Sequence, residues 1–346
     1  MNTKNFLTFS ILIFLFTLLG SCSSEDRFVI CGVSEYDCDY QHRIPGIITV
    51  TKGSSRKHYI LTENGMKKAE ITEGEPIAYN PKTRTALVKE VTDSSIDIFA
   101  ADTASGEKIS SEIEIKPKRT EKYGMPFLAI PSLLSSCIQD DGTIILLLKY
   151  DKLEFNDSNT AAENRKVLHV YEKGEKKKLK KYFFPNEFTH KAKTHSVRNY
   201  FPEEPQHLQC RGKNIYLFSE KNHATDISLF YRSQPNWILN RIDFDPEKES
   251  VNIGYPALIV YDNISFNYYS EKENSVYTAV QSSEKDKALL RITDLNEGYE
   301  LPEEPIEKED GEFLFSETPD GKPLIFFVKT RSHLEEQRIE LLPLQL

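Results

Sequence analysis

The chain has 346 residues, with 44 Lys and Arg against 53 Asp and Glu, a net charge of −9, 39% apolar residues and 11% aromatic ones. That is one large domain or two small ones, with enough apolar surface to exclude a disordered chain. An acidic balance without a dominant basic face argues against nucleic acid as a partner, and five cysteines are too few for a disulfide-dense scaffold.

The first element is a targeting segment. Lys4 and the amino terminus supply a positive start, residues 5–21 carry no charge, and residues 6–19 are almost wholly apolar. This run is shorter than the roughly 20 residues that a membrane-spanning helix needs, and it fits the apolar core of a secretory signal. It ends in Leu19-Gly20-Ser21-Cys22, which resembles the lipobox of bacterial lipoproteins. Small residues at Gly20 and Ser21 let a peptidase approach the backbone, and the Cys22 thiol is the nucleophile that accepts the lipid. The resemblance implies cleavage after residue 21, lipidation of Cys22, and a protein anchored to the bacterial outer membrane on its periplasmic or its outer side. Two or three acyl chains make a stable anchor, at about 0.8 kcal/mol for each buried methylene. Residues 22–43 read as a lipidated tether.

Four cysteines remain: Cys31, Cys38, Cys137 and Cys210. An even number in an oxidising compartment permits two disulfides. A local clip between Cys31 and Cys38 is the favoured pairing, with Cys137 and Cys210 then paired or free, and all three connectivities stay open. No two of these cysteines are spaced as CxxC, so no metal site is expected.

From Ile44 to the end, short apolar or alternating runs recur between turn signals. Ile47-Ile48-Thr49-Val50 and Tyr59-Ile60-Leu61 come first, and Glu63-Asn64-Gly65 predicts a hairpin with Asn-Gly at its tip. Then come Thr85-Ala86-Leu87-Val88, Ile96-Asp97-Ile98-Phe99, Ile113-Glu114-Ile115 and, after an Asp140-Asp141-Gly142 turn, residues 143–148. Later runs cover 167–171, 215–218, 227–231, 257–261, 276–280, 288–292 and 324–328. Hardly any stretch holds a helical period, which predicts an all-β sandwich, barrel or propeller.

A repeat selects among these. Pro76, Pro126, Pro205, Pro256 and Pro305 each precede a strand set, at a spacing of about 50 residues except for one longer gap, in which residues 151–200 read as an insertion. The expected architecture is therefore a single six-bladed β-propeller over residues 44–346. Residues 316–326 contain Thr318-Pro319-Asp320-Gly321-Lys322-Pro323-Leu324, which resembles the repeat core of TolB-like (WD40-like) propellers. Asp141-Gly142-Thr143-Ile144-Ile145 and residues 80–87 are degenerate copies. The resemblance implies a hairpin turn at Asp-Gly and a fold used largely for binding and scaffolding.

Candidate chemistry is sparse. Six Lys within residues 173–181 could touch anionic headgroups, but read better as a solvated turn; the acidic stretch 300–312 reads likewise as a solvated loop. His190, His195 and His207 lie near Glu187, Glu203 and Glu204, yet the intervening Lys191 and Lys193 oppose a cation. Asp37, Asp39 and His42 cluster within the tether, Asp140 and Asp141 read as turn residues, and Asp262-Asn263 is a weak ligand candidate at a propeller mouth. Phe266-Asn267-Tyr268-Tyr269 and Asn199-Tyr200-Phe201 could form a binding rim, although packing between blades explains them better. There is no GxSxG, HExxH, SxxK or Gly-rich phosphate loop. No catalytic residue and no cofactor is assigned. The expected role is a non-catalytic binding or scaffold module for an envelope protein or glycan. The alternative is a hydrolase or lyase acting on an envelope or extracellular polymer. The two differ at the propeller axis, where an enzyme requires convergent carboxylates with a His, Tyr or Arg.

Overall fold

The computed structural model describes residues 28–31, 38–110, 112–122, 125–150, 165–172, 179–183, 187–191, 196–200, 206–220, 237–245, 247, 250–259, 264–281, 287–295, 306–333 and 336–344. The regular elements in them are strands. After β1 (Phe28–Cys31), the first four-stranded sheet is β2 (Cys38–Ile44), β3 (Ile47–Lys52), β4 (Ser55–Thr62) and β5 (Gly65–Lys68). The second is β6 (Glu75–Asn80), β7 (Thr85–Val91), β8 (Ile96–Asp102) and β9 (Ile113–Ile115). β10 (Lys118–Lys122) pairs with β11 (Met125–Ala129) as a separate ladder.

β12 (Ser132–Ile138), β13 (Ile144–Tyr150), β14 (Arg165–Tyr171) and β15 (Leu179–Phe183) form an antiparallel run. β16 (Glu187–Lys191) and β17 (Ser196–Tyr200) make a second small ladder. β18 (Gln206–Arg211), β19 (Asn214–Glu220), β20 (Trp237–Asp245) and β21 (Ser250–Ile259) form the next antiparallel run. The next sheet is β22 (Ile264–Ser270), β23 (Ser275–Gln281), β24 (Lys287–Asp294) and β25 (Ile306–Glu309). The last holds β26 (Gly311–Glu317), β27 (Pro323–His333) and β28 (Glu336–Leu344), and β1 completes it by pairing with β28.

The fold is an all-β propeller. Its large sheets number five among the described residues, and not the expected six: one parallel pair, Phe183 with Ser250, joins β15 to β21 and merges two antiparallel runs into an eight-stranded sheet. The first strand of every run faces a common axis. β2 lies beside β6, β6 beside β12, and β12 beside β18. Gln209 on β18 then bonds Tyr269 on β22, Tyr268 on β22 bonds Glu317 on β26, and Phe315 on β26 accepts from the Gly46 amide after β2. The circle therefore closes.

The core sits between sheets. Leu87, Ile98 and Ala100 pack on Leu146 and Leu148, while Ile145 and Leu147, on the opposite face of β13, pack on Leu208, Ile215 and Leu217. Both faces of β13 are covered, which is why residues 144–148 are apolar without alternation. The inner strand β6 instead alternates half-buried and buried positions. Each fully buried Leu or Ile contributes about 1.5–3 kcal/mol.

Three sequence expectations change here. Two strands, β1 and β2, fall within residues 22–43, the stretch read as tether. Residues 151–200 are not an insertion, because β14 and β15 complete a four-strand run. The prolines do not mark equivalent positions: Pro76 lies on the inner strand β6, Pro126 on the small ladder and Pro256 on the last strand of its run, while Pro205 and Pro305 lie outside the described residues. Proline lacks a ladder N–H, so it collects at strand starts and edges of any kind.

The turn motif is placed consistently. Thr318-Pro319-Asp320-Gly321 joins β26 to β27, Asp140-Asp141-Gly142 joins β12 to β13, and residues 81–84 join β6 to β7. In the first two, the Gly amide bonds back three residues, and Gly321 (φ +85°) and Gly142 (φ +88°) adopt the left-handed region. The hairpin at residue 64 is shifted by one: Glu63-Asn64 forms the tip, and Gly65 (φ +94°) pairs with Thr62.

Candidate functional site

Two cavities lie along the axis where the inner strands converge. The smaller, about 30 Å³, is lined from the carboxyl-terminal halves of these strands, including Tyr79, Ile138, Gln209, Arg211 and Glu317. The larger, about 350 Å³, is lined from their amino-terminal halves and from neighbours, including Arg43, Glu75, Lys89, His207, Phe266 and Asn267. Ile44, Ile77, Ser136 and His207 face both.

At the smaller cavity, Arg211 Nη1 lies 3.1 Å from Glu317 Oε1, and the two side chains are only 13% and 11% exposed. The Tyr268 hydroxyl donates to Glu317 Oε2 at 2.7 Å, and the guanidinium carbon stands 5.1 Å from the Tyr268 ring centre. Burial works against the Arg211 charge, but Tyr268, Glu317 and Glu271 outweigh it and hold the group protonated. Burial, with the neighbouring carboxylate, pushes Tyr268 far above the usual phenol range. Arg211 Nε and Nη2 have no hydrogen-bond partner, and the space beside them suits one or two waters.

His207 on β18 lines both cavities, and His42 on β2 stands near it. Their rings approach Phe266 at 5.5 and 5.2 Å between centres. Burial lowers both to about 4, and Arg211 and His42 add to the effect on His207. Their tautomers follow from their partners. Gln209 Oε1 accepts from the Tyr269 amide at 3.0 Å, so Gln209 Nε2 is the donor to His207 Nε2 at 3.3 Å, and His207 carries its proton on Nδ1. His42 Nε2 faces the Phe315 carbonyl at 3.3 Å and therefore carries its own.

At the larger cavity, Glu75 is shared by two cations: Arg43 at 2.6 Å and Lys89 at 2.8 Å. Burial alone would raise Glu75, but Lys89 and Arg43 hold it below the usual carboxylate range. Asn267 is buried, and its Oδ1 accepts from the Thr278 hydroxyl at 3.0 Å. Its Nδ2 has no partner.

Cys22, Asp37, His195, Glu203, Glu204 and Asp262-Asn263 lie outside the described residues, as do Lys173–Lys178. Cys31 is joined to Cys38 and Cys137 to Cys210. The first bridge links β1 to β2, across the place where the ring closes. The second links inner strands β12 and β18, beside the axis. Asp39 is exposed on β2. Asp140 is a turn residue paired with Lys82 at 2.7 Å and bonded by Asn80, and Asp141 caps the Thr143 amide at 2.9 Å. Lys180 pairs with Glu172 at 2.5 Å. The aromatic run of β22 alternates: Phe266 and Tyr268 pack with one cluster and Tyr269 with another, and Phe266 and Asn267 also line the larger cavity. Among the described residues no three His, Cys, Asp or Glu side chains gather as metal ligands.

His42 and His207 were set aside on sequence, Arg43, Lys89, Gln209 and Arg211 carried no motif, and Glu75 and Glu317 were noted only as neighbours of a proline mark and a turn motif. Their shared signal is position, since most of them lie on the first strand of a run or at its end.

No family model matches the chain, and no curated protein matches it. Solved structures similar to it include an ACO/RPE65 chimera (TM-score 0.43, 12% identity, covering 89% of this chain and 71% of that one). Others are the WD40 domain of Toxoplasma gondii coronin (TM-score 0.41, 8% identity, 92% and 86%) and TolB from Acinetobacter baumannii (TM-score 0.38, 12% identity, 92% and 63%). Likenesses this distant carry no argument about chemistry.

Proposed function

We propose that this protein is a cell-envelope lipoprotein, anchored through Cys22, whose propeller is a non-catalytic binding module for an envelope protein or glycan, with the axial cavity as the entry point for a group of that partner. The anchoring rests on the apolar run that ends at Cys22. Each half of the eight-stranded sheet contributes its own inner strand to the axis, so both halves help to line the cavity.

One observation carries the binding reading: each carboxylate at the axis is already engaged by neighbouring side chains. Glu317 is taken up by Arg211 and Tyr268, Glu75 by Arg43 and Lys89, and both histidines are neutral at pH 7. A general acid or base works best with a pKa near the operating pH, and Glu75, His42 and His207 have been moved away from it. The hydrolase or lyase reading requires two or more carboxylates converging in one pocket with a His, Tyr or Arg, whereas Glu75 and Glu317 face different cavities.

Two experiments test this. Cys22→Ala should move the protein from the membrane fraction to the soluble one; retention in the membrane overturns the anchor. Native mass spectrometry of protein taken from its own membranes should show a bound species that is lost when Leu134→Trp fills the larger cavity, in a variant that still melts cooperatively. Shortened envelope glycans produced by the wild type but not by Glu317→Gln would overturn the non-catalytic reading.

A further inference from the structure

We infer that the group captured in the larger axial cavity is an organic anion with an apolar body, held by Arg43 and Lys89 at the rim and by His207 inside. This rests on the binding reading above and specifies its ligand.

Three observations converge. The first is charge. The chain carries a net charge of −9, yet the cavity rim reverses that sign. Arg43 and Lys89 stand against the single carboxylate of Glu75, and the adjoining small cleft adds Arg56 beside Arg43 and Glu75. A cleft of one sign in a low-dielectric wall concentrates ligands of the other.

The second is a donor at the wall. His207 lines the cavity, and because its Nε2 accepts from Gln209, its Nδ1 carries an N–H, which favours an oxygen of the ligand.

The third is shape and lining. At about 350 Å³ the cavity falls within the range of small-molecule pockets. Between its polar ends run Ile77, Leu133, Leu134, Phe218 and Phe266. An inorganic ion would leave this apolar wall uncovered, and a purely apolar molecule would leave the excess positive charge at the rim unmatched.

Calorimetry with octanoate, octanol and octylamine tests the assignment on the lipid-free mature chain. Octanoate should bind at least tenfold more tightly than octanol, with octylamine weakest, and its affinity should fall as salt rises. Arg43→Gln with Lys89→Gln should weaken octanoate at least tenfold and leave octanol unchanged. Glu75→Gln should tighten octanoate several-fold, because it removes the carboxylate that competes for both cations at the rim. These substitutions are at the cavity rim, and thermal melts confirm folding. If octanol or octylamine binds as well as octanoate, the cavity is a ligand site without anion selectivity: the inference falls and the binding reading stands. If none of the three binds, the inference falls, and native mass spectrometry with Leu134→Trp decides the binding reading independently.

Discussion

At the residue scale, the axis shows how burial fixes protonation. His42 and His207 sit against Phe266 with their pKa values lowered to about 4, against an ordinary value near 6.5. The unfolded chain binds these protons more tightly than the folded one. The stabilising effect of keeping the rings neutral is therefore complete above pH 6.5, declines as pH falls below it, and is gone below about 4. A shift of one unit corresponds to about 1.4 kcal/mol, so the two half-buried, mutually coupled rings together are worth a few kcal/mol at most across that window. Melting temperature should drop between pH 7 and pH 4, and His207→Gln should flatten that drop relative to wild type. An equally steep drop in the variant would show that carboxylates elsewhere control acid stability. None of this was visible in the sequence, where His207 sat in a polar stretch and His42 lay before the first expected strand. A histidine's environment is made by strands distant in the chain, here Phe266 and Phe315.

At the element scale, the strands and their turns were largely legible. Alternation along Ile113-Glu114-Ile115, the apolar run at 144–148 and the Asp-Gly turns at 141–142 and 320–321 all correspond to strands and tips. Local propensity is enough there, because a tight turn needs a residue that tolerates positive φ. The proline spacing misled, since an absent N–H is accepted at many kinds of edge. The disulfides act at this scale as well. Cys137 and Cys210 are 73 residues apart and clip the inner strands of two runs, while Cys31 and Cys38 are 7 apart. Closing the longer loop stabilises by about 4 kcal/mol and the shorter by about 2 on chain entropy alone. Replacing Cys137 and Cys210 by Ala should cost roughly twice as much in a urea melt as replacing Cys31 and Cys38. The reverse order would mean that ring closure near β1 matters more than loop length.

At the scale of the whole molecule, the ring is closed by its two chain ends. β28 carries β1 on its outer edge, and the buried Ile30 and Cys31 join the cluster formed by Ile48, Leu61, Leu314 and Phe326. A mature chain truncated to begin after residue 33 loses Ile30 from the core, worth about 1.5–3 kcal/mol, and the Cys31–Cys38 bridge as well. It also bares the β28 edge, a template for association. The truncated chain should melt at least 3 kcal/mol less stable, by order of magnitude, and should self-associate in sedimentation. A monomer of unchanged stability would show that β1 is dispensable. If Cys22 bears the lipid as proposed, only five residues separate the anchor from β1, which would hold the propeller close to the membrane.

By itself the sequence determined the strand-rich texture, the tight turns and the apolar segment that ends at Cys22, because each depends on neighbours a few residues away. The tertiary structure alone decided that β1 and β2 belong to the ring, that β15 meets β21, and which side chains face the axis. Those outcomes depend on pairings between residues tens to hundreds of positions apart, such as Phe28 with Leu341 and Tyr268 with Glu317. No local pattern encodes them: a strand that ends facing a cavity has the same alternation as one that ends facing a neighbouring sheet.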